Sequence, residues 1–89
     1  MDTAFRQSLK AKAHHLKPVI LLGAKGLTAA VLEETNHALQ AHELIKIKIA
    51  GVERDERQQI ATEICEELGA ELVQLIGNIA VIYRKNEDN

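Results

Sequence analysis

Apolar positions recur along this chain with two periods, and the alternation between them predicts the order of elements. Phe5, Leu9 and Leu16 fall at helical spacing, which predicts a first helix from Thr3 to Leu16, stopped by Pro18. Beside that apolar stripe, Arg6, Lys10, His14 and Lys17 are spaced i, i+4, i+8, i+11, so they line one basic stripe if the helix reaches Lys17. The run Pro18 to Leu22 is apolar throughout, the length of a buried strand and too short for a helix. Val31, Leu32, Thr35, Ala38 and Leu39 then mark the inner side of a second helix, Thr28 to Ala41. In ELIKIKIAG, residues 43–51, Ile45, Ile47 and Ile49 alternate with Lys46 and Lys48, the period of a strand with isoleucines inward and lysines outward.

A third helix fits Glu53 to Leu68, with Ile60, Ala61, Ile64, Cys65 and Leu68 on its buried side. Its acids Glu53, Asp55 and Glu56 sit where the helix dipole favours negative charge, and Gly69 ends it. Two strands, 71–76 and 79–84, follow, joined at Gly77-Asn78 as a tight hairpin. The order α-β-α-β-α-β-β predicts a compact α/β domain with a four-stranded mixed sheet. Its β-α-β connections imply parallel pairing, and the hairpin adds one antiparallel pair. Eighty-nine residues suit one domain, here residues 1–85 with a frayed end at 86–89.

Composition narrows the classes. Hydrophobic residues make up 46% of the chain, so Ile, Leu, Val and Ala can fill a core that has only Phe5 and Tyr83 as aromatics. Phe5 lies on the apolar stripe and reads as core. No apolar run approaches the ~20 residues of a membrane span, and MDTAFRQSLK lacks the pattern of a secretory signal. The single cysteine, Cys65, rules out an internal disulfide, fits a reducing cytoplasm and reads as a packing residue.

A net charge of −2 looks wrong for a partner of nucleic acid, but the charge is unevenly placed. Residues 1–26 hold five basic side chains against one acid, whereas residues 27–89 hold six against twelve. The first segment is therefore +4 and the remainder −6. Screening acts over about 8 Å, so a nearby phosphate responds to the local patch rather than to the total.

The junction between the first strand and the second helix carries the sharpest chemistry. Gly23, Ala24, Lys25 and Gly26 form a side-chain-poor turn, and Thr28 follows as an N-cap. Leu27 and Leu32 have the spacing of a hydrophobic staple across that cap. Such a turn offers backbone N–H groups at a helix N-terminus, a place that attracts phosphate, with Lys25 adding a charge. A Walker turn is excluded, because Leu27 and Thr28 follow Gly26 in place of its Lys-Ser/Thr pair. His14 and His15 diverge on a helix and His37 and His42 are poorly spaced for shared ligation, so no metal or other cofactor is expected. Glu33-Glu34 and Glu66-Glu67 read as solvated helix faces, and no nucleophile–base arrangement stands out, so an enzyme is not expected.

The stretch LKAKAHHLKPVILLGAKGLT, residues 9–28, resembles the CRM domain (chloroplast RNA splicing and ribosome maturation), especially its stand-alone bacterial YhbY-like form. The resemblance continues through HELIKIKIA at 42–50 and IGNIAVIYR at 76–84. Relatives often carry a basic residue where this hairpin has Asn78. The resemblance implies an RNA-binding domain with a fold similar to the C-terminal domain of translation initiation factor 3 and a GxxG turn similar to that of KH domains. It also implies a non-catalytic role on ribosomal RNA in maturation of the large (50S) subunit, with precursor particles and ribosomal proteins as partners. A cytoplasmic monomer with no membrane contact is the corresponding expectation. The expected RNA surface joins Gly23, Ala24, Lys25 and Gly26 to Arg6, Lys10 and Lys17, with Lys46, Lys48 and Arg84 as further members. With so few aromatics, recognition of RNA backbone and shape is expected, with little base reading. The rival expectation is a protein-interaction adaptor in ribosome assembly that docks through its acidic third helix.

Overall fold

Strict alternation at Ile45, Ile47 and Ile49 buries all three side chains on one face of a sheet and turns Lys46 and Lys48 to the other. The computed structural model describes residues 1–23 and 25–86. Ala24 and residues 87–89, most of the end expected to fray, lie outside the described residues. The elements are α1 (Thr3–Ala13), β1 (Pro18–Leu22), α2 (Ala29–His42), β2 (Leu44–Ile49), α3 (Arg54–Leu68), β3 (Glu71–Ile76) and β4 (Ile79–Tyr83).

The strand order is β1-β2-β4-β3. β1 and β2 are parallel, and β4 runs antiparallel to both of its neighbours. α3 therefore carries the chain past the future position of β4, and β3 returns on the far edge in the same direction as β2. A three-helix, four-strand mixed α/β domain is the fold that the pattern of periods predicts, but the expected pairing is corrected: β4 inserts between β2 and β3, so one pair is parallel and two are antiparallel.

The two faces of the sheet are covered unequally. α2 and α3 pack over one face, enclosing Ile20, Leu22, Leu39, Ile45, Ile47, Ile49, Ile64 and Ile82. α1 alone serves the other face, lying over β2 and β3 with Leu9 and Ala13 against Val73 and Val81. Three expectations change as a consequence. α1 ends at Ala13 rather than Leu16, because residues 14–17 must leave the helix to reach the edge strand β1. β1 is buried on one side only, since α1 does not extend over it and Val19 and Leu21 face solvent. Phe5 stays 40% exposed, meeting Tyr83 edge-on with ring centroids 5.4 Å apart.

Three arginines fasten the periphery by donating to main-chain carbonyls. Arg6 reaches from α1 to Leu72 and Val73 at 2.8 and 2.9 Å, where the β3–β4 register shifts. Arg57 donates to Ile49, Val52 and Gly77, joining the end of β2, the following loop and the hairpin. Arg84 ties α2 to the end of α3 through Asn36 and Leu68. At the corner between α2 and β2, Glu43 takes a positive φ of 62° and its carbonyl accepts the Arg84 N–H. Its carboxylate accepts the N–H of Asn86, so that residue, expected in the frayed end, is tied down.

Arg57→Met keeps an apolar stem but leaves three carbonyls without their donor. It should lower unfolding free energy by about 2–3 kcal/mol in urea titrations, against less than about 0.5 kcal/mol for Arg54→Met on the exposed start of α3.

Candidate nucleic-acid interface

β1 ends at Leu22, whose carbonyl accepts the Ala50 N–H, so the glycine turn leaves the sheet beside the end of β2. Gly26 donates its N–H to the Gly23 carbonyl at 2.9 Å, closing the turn. This is a refinement of the sequence reading, because that amide is occupied inside the loop. Thr28 caps α2, its hydroxyl accepting from Val31 at 3.1 Å. The first-turn amides of Ala29 and Ala30 have no carbonyl acceptor within the helix and point back toward the turn. α2 carries no acid in its first turn, whereas α3 carries Asp55 and Glu56 there. Of these two helix starts, the one behind the glycines is the one left electropositive.

Gly26 has φ +73°, a backbone that favours glycine, while Gly23 has no such angle. A Cβ built at either position would meet nothing within 4 Å. The turn is therefore open to solvent on the side where an anion would approach, and the exposed Lys25 stands within it.

Lys48 pairs with Leu21 across the parallel strands, two residues before Gly23, and points to the face that α1 only partly covers. Lys46 lies one strand repeat further back and donates to the Leu16 carbonyl at 3.0 Å. Together with Lys10 and His14 it lines a groove of about 170 Å³ between α1 and the sheet, floored by Gln74, Ile76, Ile79 and Val81. The structure thus sets Lys48 on the strand beside the one that leads into Gly23, Lys25 and Gly26, with Lys46 and Lys10 continuing the face of Lys48.

Three expected surface residues fall elsewhere. Lys17 lies outside α1, at the start of β1 and so a strand's length from the glycines, near Lys12, Leu16 and His42. Arg6 and Arg84 have their guanidinium groups engaged with main-chain carbonyls, which makes them fasteners of the fold. Sequence spacing could not show this, because their acceptors lie 66 and 16 residues away. The exposed aliphatic residues of this face were not expected: Leu21 lies in the run read as a buried strand, and Ile76 closes a strand whose faces were not assigned. The available signal was that one helix cannot roof four strands.

Cys65 is buried on the other side of the sheet. Burial, with the Glu71 carboxylate adding to it, pushes its thiol up to about 11, so it is a packing group with little thiolate near neutrality. Among the described residues no three His, Cys, Asp or Glu side chains converge as metal ligands, and no helix is long and apolar enough to cross a membrane.

Fold and interface together define a small α/β domain with a lysine-bearing face and a glycine turn open to solvent. The family model for the CRS1/YhbY (CRM) domain matches residues 1–84, and the chain belongs to that family. A Haemophilus influenzae protein named as RNA-binding is 49% identical over 88 residues, covering 99% of this chain and 89% of its own length. A probable RNA-binding protein of Pseudomonas aeruginosa is 47% identical over 91% of this chain and 78% of its own length. The solution structure of a Staphylococcus aureus protein, described as a candidate RNA binder, superposes with a TM-score of 0.87 at 28% identity, covering 100% of this chain and 93% of that one.

Two stability outcomes follow. Gly26→Ala should cost about 1 kcal/mol, because alanine resists a positive φ, whereas Gly23→Ala should stay within about 0.5 kcal/mol in the same urea titration. The raised Cys65 thiol means that the folded state favours the neutral form. Its contribution is complete below the ordinary value of 9.0 and is lost as pH rises through about 11. Unfolding free energy should therefore fall by up to about 2 kcal/mol over that interval, and Cys65→Ala should flatten that part of the slope.

Proposed function

We propose that this chain is a non-catalytic RNA-binding protein that holds the RNA backbone with its GxxG turn and the adjoining lysine face, and that it serves maturation of the large ribosomal subunit in the cytoplasm. The observation that carries the proposal is the pairing of an acid-free, capped helix start behind two solvent-open glycines with Lys25 and Lys48 beside them. Glycines let a phosphate oxygen reach the backbone without a Cβ in the way, and KH modules clamp about four nucleotides by this means. The names of the relatives support RNA as the ligand class. The large-subunit role rests on the family resemblance.

Distribution of charge supports the same face. Lys10, Lys46 and Lys48 lie on the α1 side of the sheet and Lys25 in the turn beyond the end of β1, while Glu63, Glu66 and Glu67 are exposed on α3 across it. Such a molecule meets a polyanion with one side and turns the other away.

The test is gel shift of a single-stranded RNA fragment at two salt concentrations. Four to six phosphate contacts predict a slope of log K on log salt of about −3 to −4. Neutralising Lys10, Lys25, Lys46 and Lys48 together should weaken binding at least about tenfold and flatten the slope. Gly23→Ala should weaken binding while leaving stability unchanged. Salt-insensitive binding, or binding indifferent to both variants, would refute the grip. Sedimentation of cell extract should place the protein with precursor large-subunit particles. Its loss from those particles on reversing Glu63 and Glu66, with RNA binding intact, would favour docking through α3 instead.

A further inference from the structure

The α1 face of the sheet is only partly covered at the end nearest the glycine turn, where Ile79 packs against the α1 cluster while Leu21 and Ile76 stay exposed. Cross-strand pairing sets Leu21 beside Lys48, Lys48 beside Ile79 and Ile79 beside Ile76, one continuous row over all four strands. Leu21 is 71% exposed and Ile76 60%, so both rims of the row are apolar surface open to solvent. At a strand spacing of about 4.8 Å the row is roughly 14 Å long, wider than a single nucleobase.

We propose that this row is a platform for unstacked bases of single-stranded RNA, whose phosphates are held by the glycine turn and the flanking lysines. The inference rests on the RNA-binding reading above and adds the part of the nucleotide that this face touches. Charge selects the occupant. Lys48 stands within the row, Lys46 and Lys10 border it along the α1 groove, and Lys25 lies past its β1 end. The row itself and the neighbouring positions Lys46, Val81 and Gln74 contain no carboxylate. An apolar strip framed by ammonium groups matches a chain whose bases present uncharged faces and whose phosphates run alongside.

Continuity with the anion site points the same way. Leu21 is separated from Gly23 by one residue, so a strand of RNA clasped at the glycines passes directly onto the row. Aliphatic side chains offer contact to any base face without a hydrogen-bond code. Binding is then tolerant of sequence yet dependent on the presence of bases, a property that a pure phosphate grip lacks. Ile79, at the middle of the row, also floors the groove bordered by Lys10 and His14. A base leaving the row therefore has a second apolar wall at hand.

The probe is a fluorescent 12-nucleotide single-stranded RNA of mixed sequence, compared with the same chain carrying baseless 1′-H ribose at its six central positions. Wild-type protein should bind the intact chain about tenfold more tightly in anisotropy titrations at fixed salt. The double variant L21Q/I76Q replaces two exposed side chains and should keep the wild-type melting temperature. It should bind both chains equally, at the wild-type affinity for the baseless one. If wild type binds both chains with equal affinity, the platform is refuted while the phosphate grip stands. If wild type binds neither, the RNA-binding reading falls and takes the platform with it. A wild-type dimer in sedimentation that L21Q/I76Q splits would identify a second copy of the chain as the occupant and overturn the proposal.

Discussion

One helix cannot roof a four-stranded sheet, and this unequal cover decides what the molecule offers its surroundings. An α-helix is about 10–12 Å across and strands are spaced about 4.8 Å, so α1, packed on β3 and β4 and reaching β2, leaves the edge strand β1 without cover. On the opposite face α2 and α3 share the work, and there the isoleucines of β2 are buried completely. The same alternation that buries Ile47 and Ile49 therefore forces Lys46 and Lys48 onto the half-roofed side. Core and basic face are two consequences of one period-two pattern.

Three of the four arginines fasten the fold, while most lysines stay at the surface. Arg57 and Arg84 place a planar fork between carbonyls of different elements and Arg6 ties α1 to two carbonyls of β3, a task suited to several fixed donors. Lysines are left for the surface, where a flexible point charge can follow a phosphate chain. The distinction explains how a chain of net charge −2 presents a basic face without basic composition. Its carboxylates on α3 lie beyond the sheet, several ångströms of low-dielectric core away from Lys48.

Much of the fold was legible because its signals are local. Thr28 as cap, Gly69 as the left-handed stop of α3, the isoleucine alternation and the Gly77-Asn78 hairpin each specify their own neighbourhood. The glycine turn was legible for the same reason. What sequence could not supply depended on partners distant along the chain. The stop of α1 at Ala13 answers to the position of the edge strand, the role of Arg84 to α2 and α3, and the exposure of Leu21 to the reach of α1. Lys10 and Lys17 share a stripe only on a helix longer than the one that forms.

Backbone amide chemical-shift mapping during titration with a single-stranded RNA tests the central claim, that the half-roofed face is the binding face. The unequal cover predicts that the largest shifts fall on Leu21 to Ala30, Lys46 to Lys48 and Ile76 to Ile79, with α3 from Thr62 to Glu67 unmoved. Shifts confined to α3, with the glycine turn and the row beside it unchanged, would contradict it.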